Sequence, residues 1–374
     1  MIEEKPDEYT EEIKLTDEEI EDLDSVESDA KPIAYSGQDF DVDGLIRRLK
    51  NRDILIPNFG HEDRDIESAG FQRAFVWRRP QMDKFIESIL LGYPIPGVIL
   101  VKQTDKRYLV LDGQQRLQTL KYFQEGLYQG REFVLNNVSN EFSGLTYKTL
   151  PDDLRRVFDN TFIQAIIVSS DGSTESLDAI YQIFERLNSG GTQLTAHEIR
   201  VALYAGPFID FLEALNKSES WRSLYGGKSP RLRDQELILR VLGLYWHSDI
   251  YKRPLKKFLN DVVSTHREEG QHQHSDLKSS FELATKLILD GHGKNALSVS
   301  GRQVNAALAE VILEGLVRRL IKKSDDIPSE EAVAEAIKKI KGNRDIVEAV
   351  SKSTADEAQV EKRIRLARAA FSEI

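Results

Sequence analysis

Residues 109–120, LVLDGQQRLQTL, join two patterns that belong to different secondary structures. Leu109-Val110-Leu111 is an apolar run of strand character that stops at Asp112-Gly113, and a helical pattern begins at Gln114. Backbone N–H groups at a helix start have no intrahelical partner, and together with the helix dipole they favour an anion. Gly113 permits a turn that a side chain would obstruct. Arg116, three residues on, can fold back and offer a guanidinium fork matched to phosphate oxygens. Gln114 and Gln115 can bond a base, a ribose or metal-bound water. Asp112 can cap the helix or hold Mg²⁺. The plainer alternative, an Asp N-cap beside a surface arginine, fits the same twelve residues.

Outward from this turn, the spacing predicts strands at 98–102 and 107–111 joined through 103–106, and a helix over 114–124. Upstream lie a helix over 43–51, a short strand at 54–57, a polar stretch at 58–70 and a helix over 81–91 whose Pro80 suits a first turn. Downstream lie a strand at 162–168 and a helix over 177–187. From about residue 195 the pattern is almost entirely helical, with stripes at 237–246, 304–321, 331–340 and 361–371. The expected class is α+β with a small mixed sheet, followed by an all-α region. The expected boundaries are an acidic tail at 1–37, a nucleotide-binding domain at 38–205 and a helical domain at 206–374.

The net charge of -11 over 374 residues is uneven. Residues 1–30 hold fourteen acidic residues and two lysines, so the rest of the chain is close to neutral. Such a segment cannot offset its ordering entropy by burial and reads as a solvated tail. The absence of cysteine excludes disulfide and thiolate chemistry. No apolar run approaches the roughly 20 residues of a membrane span, and the acidic start does not resemble a secretory signal. The cytoplasm is the expected compartment.

Four ordered stretches resemble the GmrS-type N-terminal domain of GmrSD-like modification-dependent restriction systems, within the ParB/sulfiredoxin superfamily. Leu111-Asp112-Gly113-Gln114-Gln115-Arg116-Leu117 with Thr119-Leu120 is similar to its signature. Phe71-Gln72-Arg73-Ala74-Phe75-Val76-Trp77 resembles its aromatic-Gln-Arg element, and residues 88–96 its proline turn. Phe184-Glu185-Arg186-Leu187-Asn188-Ser189-Gly190-Gly191, with Glu198-Ile199-Arg200, resembles its late helix-loop-helix. Two departures stand out: the stretch between residues 57 and 71 is longer than usual, and Ala74 stands where a proline is typical.

The resemblance implies a turn that binds nucleoside triphosphate and Mg²⁺. By position, Asp112, Gly113, Gln114, Gln115 and Arg116 form that site, Gln72 and Arg73 approach it, and Glu185, Asn188, Gly190 and Gly191 close it. Arg73 and Arg116 would stabilise phosphate charge, and Asp112 or Glu185 would position the metal or the attacking water. The implied activity is NTP hydrolysis in a DNA restriction (anti-phage) system, with DNA and a separately encoded nuclease as partners and a homo-oligomer as one assembly. A non-hydrolysing adaptor and a DNA-nicking enzyme are the alternatives.

The HNH-type nuclease motif of GmrSD fusions has no counterpart in the sequence. His266, His272 and His274 fall in a polar stretch expected to be a surface loop. Gly226-Gly227-Lys228-Ser229 is not a P-loop, because Arg222 stands where the first glycine is required. The basic runs at 316–323 and 362–368 read as solvated helix faces, with phosphate contact the alternative.

Overall fold

A computed structural model describes residues 33–56, 58–59, 71–72, 77–187, 194–229, 231–299 and 303–374. They fall into two compact units, 33–187 and 194–374. Among the described residues no helix is long and apolar enough to cross a membrane.

The first unit opens with strand β1 (Tyr35–Asp41), which begins inside the stretch assigned to the tail. Asp41 ends it and accepts from Gly44 N, capping helix α1 (Val42–Lys50). Two short strands follow, β2 (Ile54–Leu55) and β3 (Asn58–Phe59), the latter paired with β4 (Phe71–Gln72). Asn58 and Phe59 thus pair as a strand within a stretch read as polar loop; residues 60–70 lie outside the described residues. Helix α2 (Arg79–Leu90) has Pro80 in its first turn. Then come β5 (Val98–Lys102), β6 (Tyr108–Asp112) and helix α3 (Gln114–Glu125). A hairpin of β7 (Leu127–Tyr128) and β8 (Arg131–Glu132), helix α4 (Asp152–Asn160), strand β9 (Phe162–Ser169) and helix α5 (Thr174–Leu187) complete the unit.

Five strands form one mixed sheet in the order β1-β9-β5-β6-β2. The outer β1 runs antiparallel to β9, β9 parallel to β5, β5 antiparallel to β6, and β6 parallel to β2. Strand β9 alternates strictly at its start: Ile163, Ala165 and Ile167 are buried, while Phe162, Gln164 and Ile166 are exposed. One face therefore carries the core. Helices α1, α2, α3 and α4 pack on one another around it. Phe123 of α3 meets Phe133, Tyr147 and Phe158 edge-on at ring separations of 5.3–6.1 Å. That packing seats the helix that carries the signature, and α5 packs against β6.

The second unit is all helical: α6 (Ala196–Leu203), α7 (Pro207–Asn216), α8 (Glu219–Tyr225), α9 (Arg233–His247) and α10 (Leu255–His266), then α11 (Ser275–His292), α12 (Ala306–Lys322), α13 (Glu330–Gly342), α14 (Arg344–Ala349) and α15 (Glu357–Ser372). The fold is thus α+β followed by an all-α region, as the sequence leads one to expect.

Two expectations for this unit are corrected. Arg319 and Arg363 are not a solvated face: they are buried, Arg319 on Asp326 at 2.8 Å and Arg363 on Glu310 at 2.9 Å. Arg318 and Arg368 both pair with the fully buried Glu314 at 2.6 Å. A buried carboxylate requires partners, and these arginines supply them. His266 is not in a surface loop either, since it ends helix α10, and His274 is half-buried in the turn that leads into α11. His266 is buried under Trp246, with ring centroids 4.1 Å apart, and only His272 of the three is exposed.

His197, wholly buried in α6, makes the unit sensitive to acid. Arg200 Nη1 donates to its Nδ1 at 3.2 Å, so the proton sits on Nε2, 3.1 Å from Gln235 Oε1. Burial pushes this imidazole down to about 3. The folded state thus refuses a proton that the unfolded chain accepts below about 6.5. Stability should fall by roughly 1.4 kcal/mol per pH unit as acid is added between pH 6.5 and 3. Chemical denaturation at stepped pH should show that slope flattened in His197→Gln; an unchanged slope would assign it to other groups.

Candidate functional site

Strand β6 delivers Asp112 to the edge of the sheet, and the chain turns at Gly113, whose φ of +95° lies in the left-handed region. A Cβ there would stand 2.5 Å from Val98 Cγ1. Conformation and space both demand glycine. Gly113→Ala is therefore expected to cost about 1–3 kcal/mol, read as a lowered urea midpoint with the slope unchanged.

Gly113 is the N-cap of α3, and the first helical backbone bond runs from Leu117 N to its carbonyl at 2.9 Å. Asp112 does not cap the helix. Its carboxylate takes Arg116 Nη2 at 2.8 Å across an i,i+4 spacing. The same Nη2 also donates to Gly97 O at 2.9 Å. Arg116 is therefore no surface arginine: its side chain is 17% exposed, while that of Asp112 is 51% exposed. Its Nε is buried with no hydrogen-bond partner among the described residues. An orphaned donor beside an open carboxylate is a costly arrangement for a turn whose only task is to hold a helix.

The second glutamine joins two motifs. Gln115 Oε1 accepts from the backbone N–H of Trp77 at 3.1 Å, tying the end of the 71–77 element to the signature turn. Trp77 itself packs edge-on against Phe85 at 5.5 Å, a core role. Gln114 starts α3. Gln72 lies in β4, opposite Asn58. Arg73, Asn188, Gly190 and Gly191 lie outside the described residues. Glu185 is half-buried on α5, which packs against β6, the strand ending in Asp112. The structure thus pairs Asp112 with Arg116, ties Gln115 to residue 77, and brings the Glu185 helix onto the strand that ends in Asp112.

Gly97 has a part in the site that its sequence context hides. Its carbonyl holds Arg116, and a Cβ on it would lie 2.6 Å from Gln164 O of β9. In sequence it looks like the end of a proline turn. Only the pairing of β9 beside β5 shows why the backbone must approach so closely.

Residues 49–205 match the family model described as the GmrSD restriction endonuclease, N-terminal domain. The match covers the signature turn, the 71–77 element and α6. No curated protein matches the chain.

Proposed function

We propose, from the GmrSD-type N-terminal domain that residues 49–205 form, that this chain is the nucleoside triphosphatase and sensor component of a bacterial DNA restriction system. Cleavage would fall to a separately encoded nuclease. The observation that carries this reading is the Asp112–Arg116 pair at the mouth of a helix, with an unpartnered guanidinium nitrogen behind it.

In this account a triphosphate enters at the α3 N-terminus, where the dipole and Arg116 attract its charge. Phosphate oxygens compete with Asp112 for the Arg116 fork, and Gly97 O keeps the guanidinium in place through the exchange. The freed carboxylate of Asp112 suits Mg²⁺, which supplies charge neutralisation between phosphates when bound. Asp112 or Glu185 orients a water, whose oxygen bonds to the terminal phosphorus as the bridging P–O bond breaks. The water proton passes to the carboxylate. Arg73, from the neighbouring element, is assigned to the charge that develops on the equatorial oxygens. Gln72, Gln114 and Gln115 are assigned to the base and ribose, and Asn188, Gly190 and Gly191 to closing the site.

The runner-up, an adaptor that grips nucleotide or DNA phosphate without turnover, draws on the Arg116–Gly97 bond, which also suits a static tether. Phosphate release by the purified full chain, with Mg²⁺ and each of the four common NTPs, separates the two. Release that rises when DNA is added is the expected result. Tight nucleotide binding with no release, with or without DNA, would establish the adaptor instead.

A further inference from the structure

The helical unit gathers three imidazoles and a carboxylate where α10 gives way to α11. His266 is the last residue of α10, Glu269 follows three residues later, and His274 immediately precedes α11. One ligand atom from each of His266, Glu269 and His274 lies within 4.8 Å of the others. His266 Nδ1 is 2.7 Å from Glu269 Oε2, and His274 Nε2 is 3.0 Å from that same oxygen. The His274 approach is misaligned for a hydrogen bond, so its buried Nε2 has no hydrogen-bond partner among the described residues. That side chain is only 10% exposed. A buried ring nitrogen aimed at a carboxylate but not bonded to it calls for something between them.

The surroundings have the character of a metal site's outer shell. His266 Nε2 lies 3.0 Å from His247 Nε2, so binding through Nδ1 would leave the other ring N–H donated to His247. Metal-bound histidines ordinarily hold their second nitrogen this way, which fixes ring orientation. Trp246 stacks on His266 at 4.1 Å, and Phe211 faces His274 at 5.1 Å. These rings form an apolar wall that limits rotamer freedom.

We propose that His266 Nδ1, Glu269 Oε2 and His274 Nε2 bind a zinc-class divalent cation, with His247 as the positioning residue behind His266. Two imidazoles and one carboxylate suit Zn²⁺ and its borderline neighbours rather than Mg²⁺ or Ca²⁺, which take oxygen ligands. Tetrahedral zinc ligands stand roughly 3.3 Å apart, so each histidine nitrogen needs to draw back from Glu269 Oε2 by only about half an ångström. Three protein ligands leave a fourth position for water, on the side where Glu269 is 40% exposed. The site clamps the end of α10 to the start of α11 and is independent of the signature turn.

Metal-stripped full-length protein titrated with Co²⁺ and then Zn²⁺ tests this. One equivalent of Co²⁺ should bind with the visible absorption of a four-coordinate ion, and Zn²⁺ should displace it. Glu269→Gln and His274→Gln should each weaken binding at least about tenfold, and His247→Gln by about 10- to 100-fold. His272→Gln, on an exposed side chain, should leave affinity unchanged. If His274→Gln fails to fold, the more exposed Glu269→Gln decides. No saturable uptake by wild type, or undiminished uptake in Glu269→Gln with a wild-type circular dichroism spectrum, would reduce the cluster to a hydrogen-bonded one.

Discussion

Arg116→Ala is expected to lower NTP hydrolysis by about 100- to 1000-fold, the usual loss when one preorganised donor to a developing oxyanion is removed. Three groups set that expectation. Asp112 and Gly97 O hold the guanidinium at 2.8 and 2.9 Å, so it is oriented before any ligand arrives. Its Nε is an unused buried donor. Preorganised charge of this kind acts mainly in the transition state, so kcat should fall more than KM rises. Arg116→Lys should recover only part of the loss, because an ammonium cannot bond Gly97 and a phosphate as a planar fork does. Phosphate release at saturating nucleotide provides the measurement. Wild-type turnover in Arg116→Ala, in protein of unchanged melting temperature, would remove the turn from the mechanism.

The second large effect belongs to stability. Glu310, buried in α12, accepts from Arg240 Nη1 at 3.2 Å and from Arg363 Nη2 at 2.9 Å. All three side chains are 2–3% exposed. Arg240 also donates to Glu236 at 2.9 Å. Burial alone would raise the Glu236 carboxyl, yet the charges of Arg240, His197, Arg200 and Arg233 together hold the group at about 2. Glu310→Ala would leave the buried Arg363 without a carboxylate, on the Ala349 and Thr354 carbonyls, and would take from Arg240 one of the two carboxylates that it bonds. The expected cost is about 3–5 kcal/mol, the range for breaking a buried pair from one side. Arg240 and Arg363 come from α9 and α15, so the loss should loosen three helices together. Urea unfolding followed by tryptophan fluorescence reports on this unit through Trp221 and Trp246. A change below about 1 kcal/mol would mean that water or rearranged carbonyls satisfy both arginines.

Much of the first unit was legible because its strands and helices keep simple periods. Strand β5 matches the expected 98–102, and α3 differs from its expectation by one residue at the end. Strand β1 was not legible: five of its seven residues are exposed, so its burial has no period and only hydrogen bonding to β9 defines it. Helix α4 escaped for a related reason, since Phe158 is its one buried residue. Within the site, the i,i+4 spacing of Asp112 and Arg116 could be read from the sequence, but the Gly97 acceptor could not. That bond spans nineteen residues and exists because a hairpin brings β5 back beside β6. The histidines misled in the opposite direction. Their polar neighbours suggest solvent, whereas Trp246, from a different helix, covers His266.

The position of β9 also sets a timetable for assembly on the ribosome. This strand lies between β1 and β5 and pairs with both, although it is the last of the sheet to be synthesised. Until residues 162–169 have emerged, β1 has no neighbour in the sheet, and the backbone at Gly97 has nothing to rest against. Closing such distant pairings is slow, and it leaves strand edges open meanwhile. The Asp112–Arg116 turn, encoded some fifty residues earlier, is thus translated long before the sheet that fixes its geometry can close.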